Sequence, residues 1–222
     1  MDDLSQIRAD LGSRFALHIS AIHSEIDQAN IHVLWQDLAA RYSETQRAYH
    51  TLSHLQQLFG QFEKIKHHLY EPNIIALGLY YHDVIYEPQR SDNELKSAEY
   101  AVNALHHYLD ATQCQHIYAL IMMTTSHQRA KLASHKKNSD AAFLLDMDLS
   151  VLAAPWHEYQ QYAQAIRQEY QHVAPAEYQA GRVALLKGLL KRPRLYLSDY
   201  YYKRLEMPAR DNLKREIISL AS

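Results

Sequence analysis

Apolar residues recur at helical spacing along most of the chain and predict a succession of α-helices. The run 74–81 is apolar on every side and predicts a fully buried helix, whose first turn accepts Pro72. His82 and Asp83 follow that run directly. No segment predicts a strand with comparable strength. The pattern indicates about eight or nine helices, over 35–42, 48–69, 72–81, 91–108, 112–125, 140–152, 155–172, 175–190 and 209–220.

Capping residues support several of these helix starts. Ser91 with Glu94 three residues later matches a capping box, and Thr112 with Gln115 matches a second one. Ser139 is expected to cap the segment that follows it. The composition, with 5 Gly in 222 residues, 47% hydrophobic and 22% charged residues, is that of a globular protein and disfavours a turn-rich β fold. We therefore expect one all-α domain over the whole chain.

Charge, cysteine content and hydropathy exclude several classes of protein. The net charge of −2 creates no strong field for nucleic acid, and we interpret the short basic stretch 187–194 as a solvated helix end. Cys114 is the only cysteine, so an internal disulfide is excluded. No apolar run approaches the roughly 20 residues that a bilayer requires, and the polar segment 1–10 is unlike a signal peptide. We expect a cytoplasmic protein without a membrane or nucleic-acid partner, and a homo-oligomer is left open.

The His82-Asp83 pair is the first candidate for chemistry. With 15 His in the chain, about one such dipeptide is expected by chance, so its context matters more than its presence. The pair ends a buried helix, where an unpaired carboxylate is costly and requires a cation or hydrogen-bond donors. His50 and His54 lie four residues apart, so either could supply another nitrogen to the same ion.

A second candidate is the pair of acids at Asp146 and Asp148, which again lies inside an apolar run. On a regular helix the two side chains point about 200° apart, so only one of them can easily face a common ion. The local pattern does not decide which one.

The order His … His-Asp … Asp resembles the signature of the HD superfamily of metal-dependent phosphohydrolases, and the segments around it are similar to a bacterial branch of predicted HD phosphohydrolases. The resemblance spans roughly residues 35 to 215. Its joint pattern is specific, although each part is weak. The segments that carry it are Arg47-Ala-Tyr49-His50-Thr-Leu-Ser-His54, Tyr81-His82-Asp83-Val-Ile-Tyr86, Asp92-Asn93-Glu94-x-x-Ser97-Ala98, Leu145-Asp146-Met-Asp148-Leu, Ile166-Arg167-Gln-Glu169-Tyr170 and Ala209-Arg210-Asp-Asn212-Leu213.

The resemblance implies an all-α, HD-type core over about 35–155 and a C-terminal helical extension over about 155–222. It implies one divalent metal ion, which could be Mn, Fe, Co, Ni, Zn or Mg. A second ion would need further histidines, and His127 alone does not establish it. The implied metal ligands are His50, His82, Asp83 and Asp148.

The remaining candidates surround that centre. Glu94 or Asp92 could orient the attacking water or protonate the leaving oxygen. His54 falls where many members of the family have an apolar residue, so we expect it to line the substrate pocket. The other candidates for substrate binding are Arg47 and His127, with Arg90 and Lys96 as further cations for phosphate charge.

These assignments predict a hydrolase of small phosphate esters, with nucleotides among the candidate substrates. A divalent ion at such a site would activate water and polarise the phosphoryl group. The chain has no glycine-rich phosphate loop, which disfavours ATP use of the P-loop kind. Two alternatives stay open, an HD-type di-iron oxygenase and a non-enzymatic, metal-containing ligand sensor.

Overall fold

Ten α-helices and two short 3-10 helices make up the regular structure of the residues that the computed structural model describes, which are 3–128, 132 and 134–221. No strand occurs among them, so the predicted all-α class is confirmed. The 3-10 helices are Lys66–His68 and Leu149–Ala153. The α-helices are α1 (Asp3–Ile22), α2 (Gln28–Arg41), α3 (Leu52–Ile65), α4 (Pro72–Tyr81), α5 (Asn93–Leu105), α6 (Ala111–Thr124), α7 (His135–Asp148), α8 (Trp156–Glu169), α9 (Pro175–Leu190) and α10 (Asp199–Ala221).

The chain divides into two units, residues 1–144 and 145–222. The division falls within α7, so most of this helix belongs to the first unit. The expectation of a single domain, with a core that ends near residue 155, stays a prediction. None of the helices in the described ranges combines the length and apolar character that a bilayer-spanning segment requires.

Helix α4 is the centre of the first unit. Helices α1, α3, α5 and α6 all pack against it, and every residue from Ile74 to Tyr81 is buried. The Tyr42 hydroxyl donates to the carbonyl oxygen of Tyr80, and the Tyr80 hydroxyl donates to that of Leu11. Because these bonds join α2 and α1 to α4, the end of α4 has a fixed position in the unit.

Helix α1 was not among the predicted elements. Its buried residues Ile7, Leu11, Phe15 and Ile19 follow one another at four-residue spacing, which is the apolar period of a helix face. Mostly polar or small residues lie between them, and the helix has no proline at its start to mark it. The period alone could have identified this helix.

Two of the predicted capping boxes are absent. Helix α6 is capped by Asp110, whose carboxylate accepts the N–H of Gln113, while the Gln113 side chain accepts the N–H of Asp110; the predicted Thr112 box was displaced by two residues. At α5, Asp92 occupies the N-cap position and its side chain makes no capping hydrogen bond, so the predicted box at Ser91 was wrong. Local motifs of this kind compete with neighbouring acceptors one or two residues away.

Helix α7 begins at His135, so Ser139 lies inside it and does not cap it as predicted. The next residue, Asp140, is fully buried and accepts the N–H groups of Tyr70 at 3.0 and 3.1 Å and of Glu71 at 2.7 Å. These amides precede α4, so Asp140 satisfies donors at the N-terminal end of that helix. Burial raises the pKa of Asp140 above its usual value, although the two amides oppose that rise.

The second unit contains α8, α9 and α10 together with the 3-10 helix Leu149–Ala153, against which α8 and α10 both pack. Helix α10 begins well before the predicted start and continues through Pro208, which sequence analysis treats as a helix breaker. Buried Glu206, within the same turn, accepts the N–H groups of Leu195 and Tyr196. This anchor holds the first half of α10 in place despite the proline.

Candidate metal centre

His82 and Asp83 follow the C-terminal end of helix α4, at the edge of the buried core. The imidazole of His82 is buried, and its Nδ1 lies 2.8 Å from the carbonyl oxygen of Leu79. Because a carbonyl only accepts, Nδ1 carries a proton, and in the neutral ring Nε2 carries the lone pair. This is the tautomer in which a histidine binds a metal through Nε2 while its other nitrogen donates to the protein.

The carboxylate of Asp83 lies among three imidazoles. Its Oδ2 is 3.0 Å from Nε2 of His82, 3.9 Å from Nε2 of His50 and 4.0 Å from Nε2 of His54. Helix α3 begins at Leu52, so His50 lies in the turn before the helix, whereas the sequence predicted both histidines on it. At 3.0 Å the lone pairs of His82 Nε2 and Asp83 Oδ2 would repel, so a proton or a cation between these two atoms would stabilise the arrangement.

Two residues of helix α7, Asp140 and Leu144, lie close to α4 or to the residues just before it. Asp140 binds the amides at the start of α4, and Leu144 lies close enough that a Cβ at Gly78 would be 3.0 Å from its Cδ1. Four-residue spacing places Asp148 on the same helix face as these two residues.

His54, His82 and Asp148 form a group that could hold a metal ion. Each offers one ligand atom, and these atoms all lie within 4.8 Å of one another. Both histidines are buried and Asp148 is half-buried. Ligand atoms around an ion at 2.0–2.2 Å are about 3–3.5 Å apart, so modest side-chain shifts would complete the coordination. The donor set, two imidazoles and a carboxylate, fits a divalent ion.

The structure thus brings together part of the predicted ligand set and adds one residue to it. His82 and Asp148 were predicted as ligands and belong to the group, whereas His54 was expected to line the substrate pocket. Asp83 contacts His82, and His50 lies next to Asp83. That His50, His82, Asp83 and Asp148 all bind one ion stays a prediction.

Asp146 has a different environment from Asp148. It is buried, and its two carboxylate oxygens accept the N–H groups of Leu197 at 2.6 Å and Ser198 at 2.7 Å. Two short bonds from main-chain amides are the arrangement of a structural carboxylate. The expectation that the two acids face different ways on α7 agrees with these contacts.

Arg47 is buried and directs its guanidinium at main-chain oxygens. Its Nη1 donates to the carbonyls of His50 at 3.0 Å and Asp83 at 2.8 Å, and its Nη2 donates to that of Val84 at 3.0 Å. These bonds disfavour the predicted contact between Arg47 and a substrate phosphate, which stays a prediction. They connect Arg47 instead to the chain segments that carry the histidines and Asp83.

Three predicted residues before and on α5 are engaged in surface ion pairs, Arg90 with Asp92 and Lys96 with Glu99. Asp92 accepts two hydrogen bonds from Arg90 at 2.9 and 2.8 Å, and the pKa of its exposed carboxyl is lowered mainly by these bonds. Lys96 binds Glu99 at 2.8 Å. An ionised carboxylate in a surface ion pair is a poor general acid, so these contacts favour Glu94, half-buried in the first turn of α5, over Asp92.

Asn93 and Ser97, for which no role was predicted, hold the loop after Asp83. The Asn93 side chain accepts the N–H of Glu87 at 3.0 Å and donates to its carbonyl at 2.9 Å. The Ser97 hydroxyl accepts the N–H of Ile85 at 3.1 Å and donates to its carbonyl at 3.2 Å. Their four-residue spacing on α5 was the available signal, since it places both polar side chains on one face.

His127 follows the end of α6 and has a φ of 49°, in the left-handed region that non-glycine residues rarely adopt. It is half-buried. Such a conformation costs about 1–3 kcal/mol and is more frequent at functional sites than elsewhere. Its predicted role in substrate binding stays a prediction.

Comparison with known proteins does not add to this description. No protein-family model, no curated protein and no solved structure matches the chain. The functional interpretation therefore depends on the residues of the site and on the resemblance of its motifs to the HD superfamily.

Proposed function

We propose that this protein is a metal-dependent phosphohydrolase of the HD type that acts on a small phosphate ester, with nucleotides among the candidate substrates. The observation that carries the proposal is the group of His54, His82 and Asp148, whose ligand atoms lie within 4.8 Å of one another beside the carboxylate of Asp83. The order of these residues along the chain, which resembles the HD signature, supports the same conclusion.

The donor atoms suit borderline to hard divalent ions such as Mn, Fe, Co, Ni, Zn or Mg. An ion bound there would supply Lewis-acid activation of water and of the phosphoryl group. The protein orients its own donors, because the Leu79 carbonyl fixes His82. The ring of Tyr49 lies 4.6 Å from that of His54, and these contacts limit ring rotation.

The remaining catalytic roles are proposed from the chemical properties of the side chains and from their present partners. Glu94 is the candidate to orient water or protonate the leaving oxygen, because Asp92 is bound to Arg90. Phosphate charge needs cations near the centre, and Arg90 and Lys96 could serve if substrate competes with their present partners. We propose a single ion as the cofactor.

The test is phosphate release by protein that has been stripped with a chelator and reloaded with each divalent ion in turn. The panel contains nucleotides, sugar phosphates and a chromogenic phosphomonoester. His82→Gln should lose both bound metal and activity. His116→Gln is the matched control, because His116 is also a buried histidine (4% exposed, against 1% for His82) but lies on α6 beside Glu71, at the opposite end of α4 from His82.

Each outcome separates the proposal from its alternatives. The proposal is supported if phosphate release needs added metal, is abolished in His82→Gln and is retained in His116→Gln. A metal-loaded parent without phosphate release over the whole panel contradicts it and favours the ligand sensor. Dioxygen consumption by an iron-loaded form would favour the oxygenase.

A further inference from the structure

We infer that Arg47 is a positioning residue of the candidate metal centre, which it serves without touching the ion. The inference rests on the proposed function only in requiring that a metal binds at this site. Arg47 precedes His50 by three residues, and its guanidinium joins two segments that are far apart in sequence.

A single nitrogen makes the connection. Nη1 of Arg47 donates to the carbonyl of His50, in the turn before α3, and to the carbonyl of Asp83, just after α4. Nη2 donates to the next carbonyl, that of Val84. Because the guanidinium is planar and rigid, these bonds fix the separation of the two main-chain segments.

The guanidinium is itself held from several sides. Its Nε lies 3.3 Å from a carboxylate oxygen of Glu44, so four of its five N–H groups have acceptors. The rings of Tyr42 and Tyr86 lie 5.1 and 5.6 Å from its central carbon. The Tyr86 ring also packs on the His50 ring at 4.1 Å.

These contacts explain why the residue is an arginine. A lysine ammonium is a compact point charge and cannot bridge three carbonyls and a carboxylate in one plane. Replacing Arg47 by lysine would leave carbonyl oxygens unsatisfied and let the turn that carries His50 move relative to Asp83. Loss of an outer partner that orients ligands typically weakens metal binding by about 10–100-fold.

The experiment measures metal affinity, with no substrate present. Chelator-stripped parent and Arg47→Lys are titrated with Co²⁺, followed by calorimetry and by the visible absorption of the bound ion. We expect binding about 10–100-fold weaker in Arg47→Lys, with altered absorption bands, because the donors no longer hold one geometry. Arg47→Ala should recover part of its Co²⁺ affinity when guanidinium ion is added, and none with Na⁺ at equal ionic strength.

Arg182→Lys is the matched control. Arg182 is also buried and binds Glu216 through Nε at 2.8 Å and Nη2 at 3.1 Å, within the second unit. It should lose thermal stability yet keep the Co²⁺ affinity of the parent. If Arg47→Lys does not fold, Glu44→Gln removes the charge of the carboxylate that Arg47 Nε shares with Arg41 and Gln46, and it should weaken Co²⁺ binding to a smaller extent.

The experiment distinguishes failure of the proposed function from failure of the positioning role of Arg47. A parent that binds no metal ion refutes the proposed function. A parent that binds Co²⁺ with the same affinity and absorption as folded Arg47→Lys, or as Glu44→Gln where the lysine variant does not fold, refutes the positioning role alone.

Discussion

Replacing Asp146 and Asp148 separately by asparagine should affect two different properties of the protein. Both changes keep the side-chain volume and remove a negative charge. Asp146 binds the amides of Leu197 and Ser198, whereas Asp148 contributes an oxygen to the group with His54 and His82. Asp146→Asn should therefore act on stability, and Asp148→Asn on metal binding.

The magnitudes follow from these contacts. Hydrogen bonds to a charged acceptor contribute about 1.5–3 kcal/mol each, and Asp146→Asn also turns an N–H donor towards a main-chain N–H. Allowing for non-additivity, we expect a loss of about 2–4 kcal/mol in the free energy of unfolding. For Asp148→Asn, the loss of a direct anionic ligand should exceed the roughly 100-fold that outer partners can cost, equivalent to about 2.7 kcal/mol of binding free energy.

The assay compares thermal unfolding of each variant with and without saturating divalent metal. A ligand that binds only the folded chain stabilises it by RT ln(1 + [L]/Kd), so at a fixed ligand concentration tighter binding gives a larger rise in Tm. Asp146→Asn should unfold at a lower temperature without metal, yet keep most of the metal-induced rise in Tm. Asp148→Asn should lose that rise, and elemental analysis after gel filtration should find little bound metal. If instead Asp146→Asn loses the ion and Asp148→Asn retains it, the register of α7 assigned to the ligands is wrong.

Two further predictions concern stability away from the metal centre. Burial lowers the pKa of His116, with a smaller contribution from Lys137, so the folded chain resists its protonation while the unfolded chain takes up a proton below about pH 6.5. In urea unfolding of the metal-free protein, stability should fall as pH decreases from about 7 to about 5, and it should fall less steeply in His116→Gln; equal slopes would contradict this. Gly12→Ala should destabilise the protein, because its Cβ would lie 2.5 Å from Nε1 of Trp35, and such overpacking costs about 1–3 kcal/mol against about 1 kcal/mol of helix propensity. Gly60→Ala, with no atom within 4 Å of its Cβ, should stabilise by about 0.5–1 kcal/mol in the same measurement, and an equal effect of the two changes would refute the packing argument.

The helices that sequence predicts best are those with local boundaries. Helix α4 begins at Pro72 and ends at Tyr81, as expected from an apolar run that a proline opens and His82-Asp83 follows. Helix α9 begins at Pro175 and ends at Leu190, also as expected. Proline at the first turn and a change in polarity are properties of a few neighbouring residues, so they can be recognised without the rest of the chain.

Tertiary contacts decided the boundaries that local signals misplaced. The last helix was predicted to begin at residue 209, but α10 begins at Asp199 and continues through Pro208, with Glu206 anchored by the amides of Leu195 and Tyr196. The acceptors and donors in this anchor are ten or more residues apart. A pattern within one helical turn therefore contains no information about them.

For the same reason, the sequence predicts only part of the candidate site. The sequence alone determined that His82 and Asp83 end a buried helix and that two histidines and one of two acids could join them. Only the tertiary structure grouped His54 with His82 and Asp148 and gave the amides of Leu197 and Ser198 to Asp146. It also directed Arg47 to main-chain carbonyls. Side-chain type and period restrict which residues can bind an ion, but their distances depend on how α3, α4 and α7 pack, and those contacts join residues that lie far apart in the sequence.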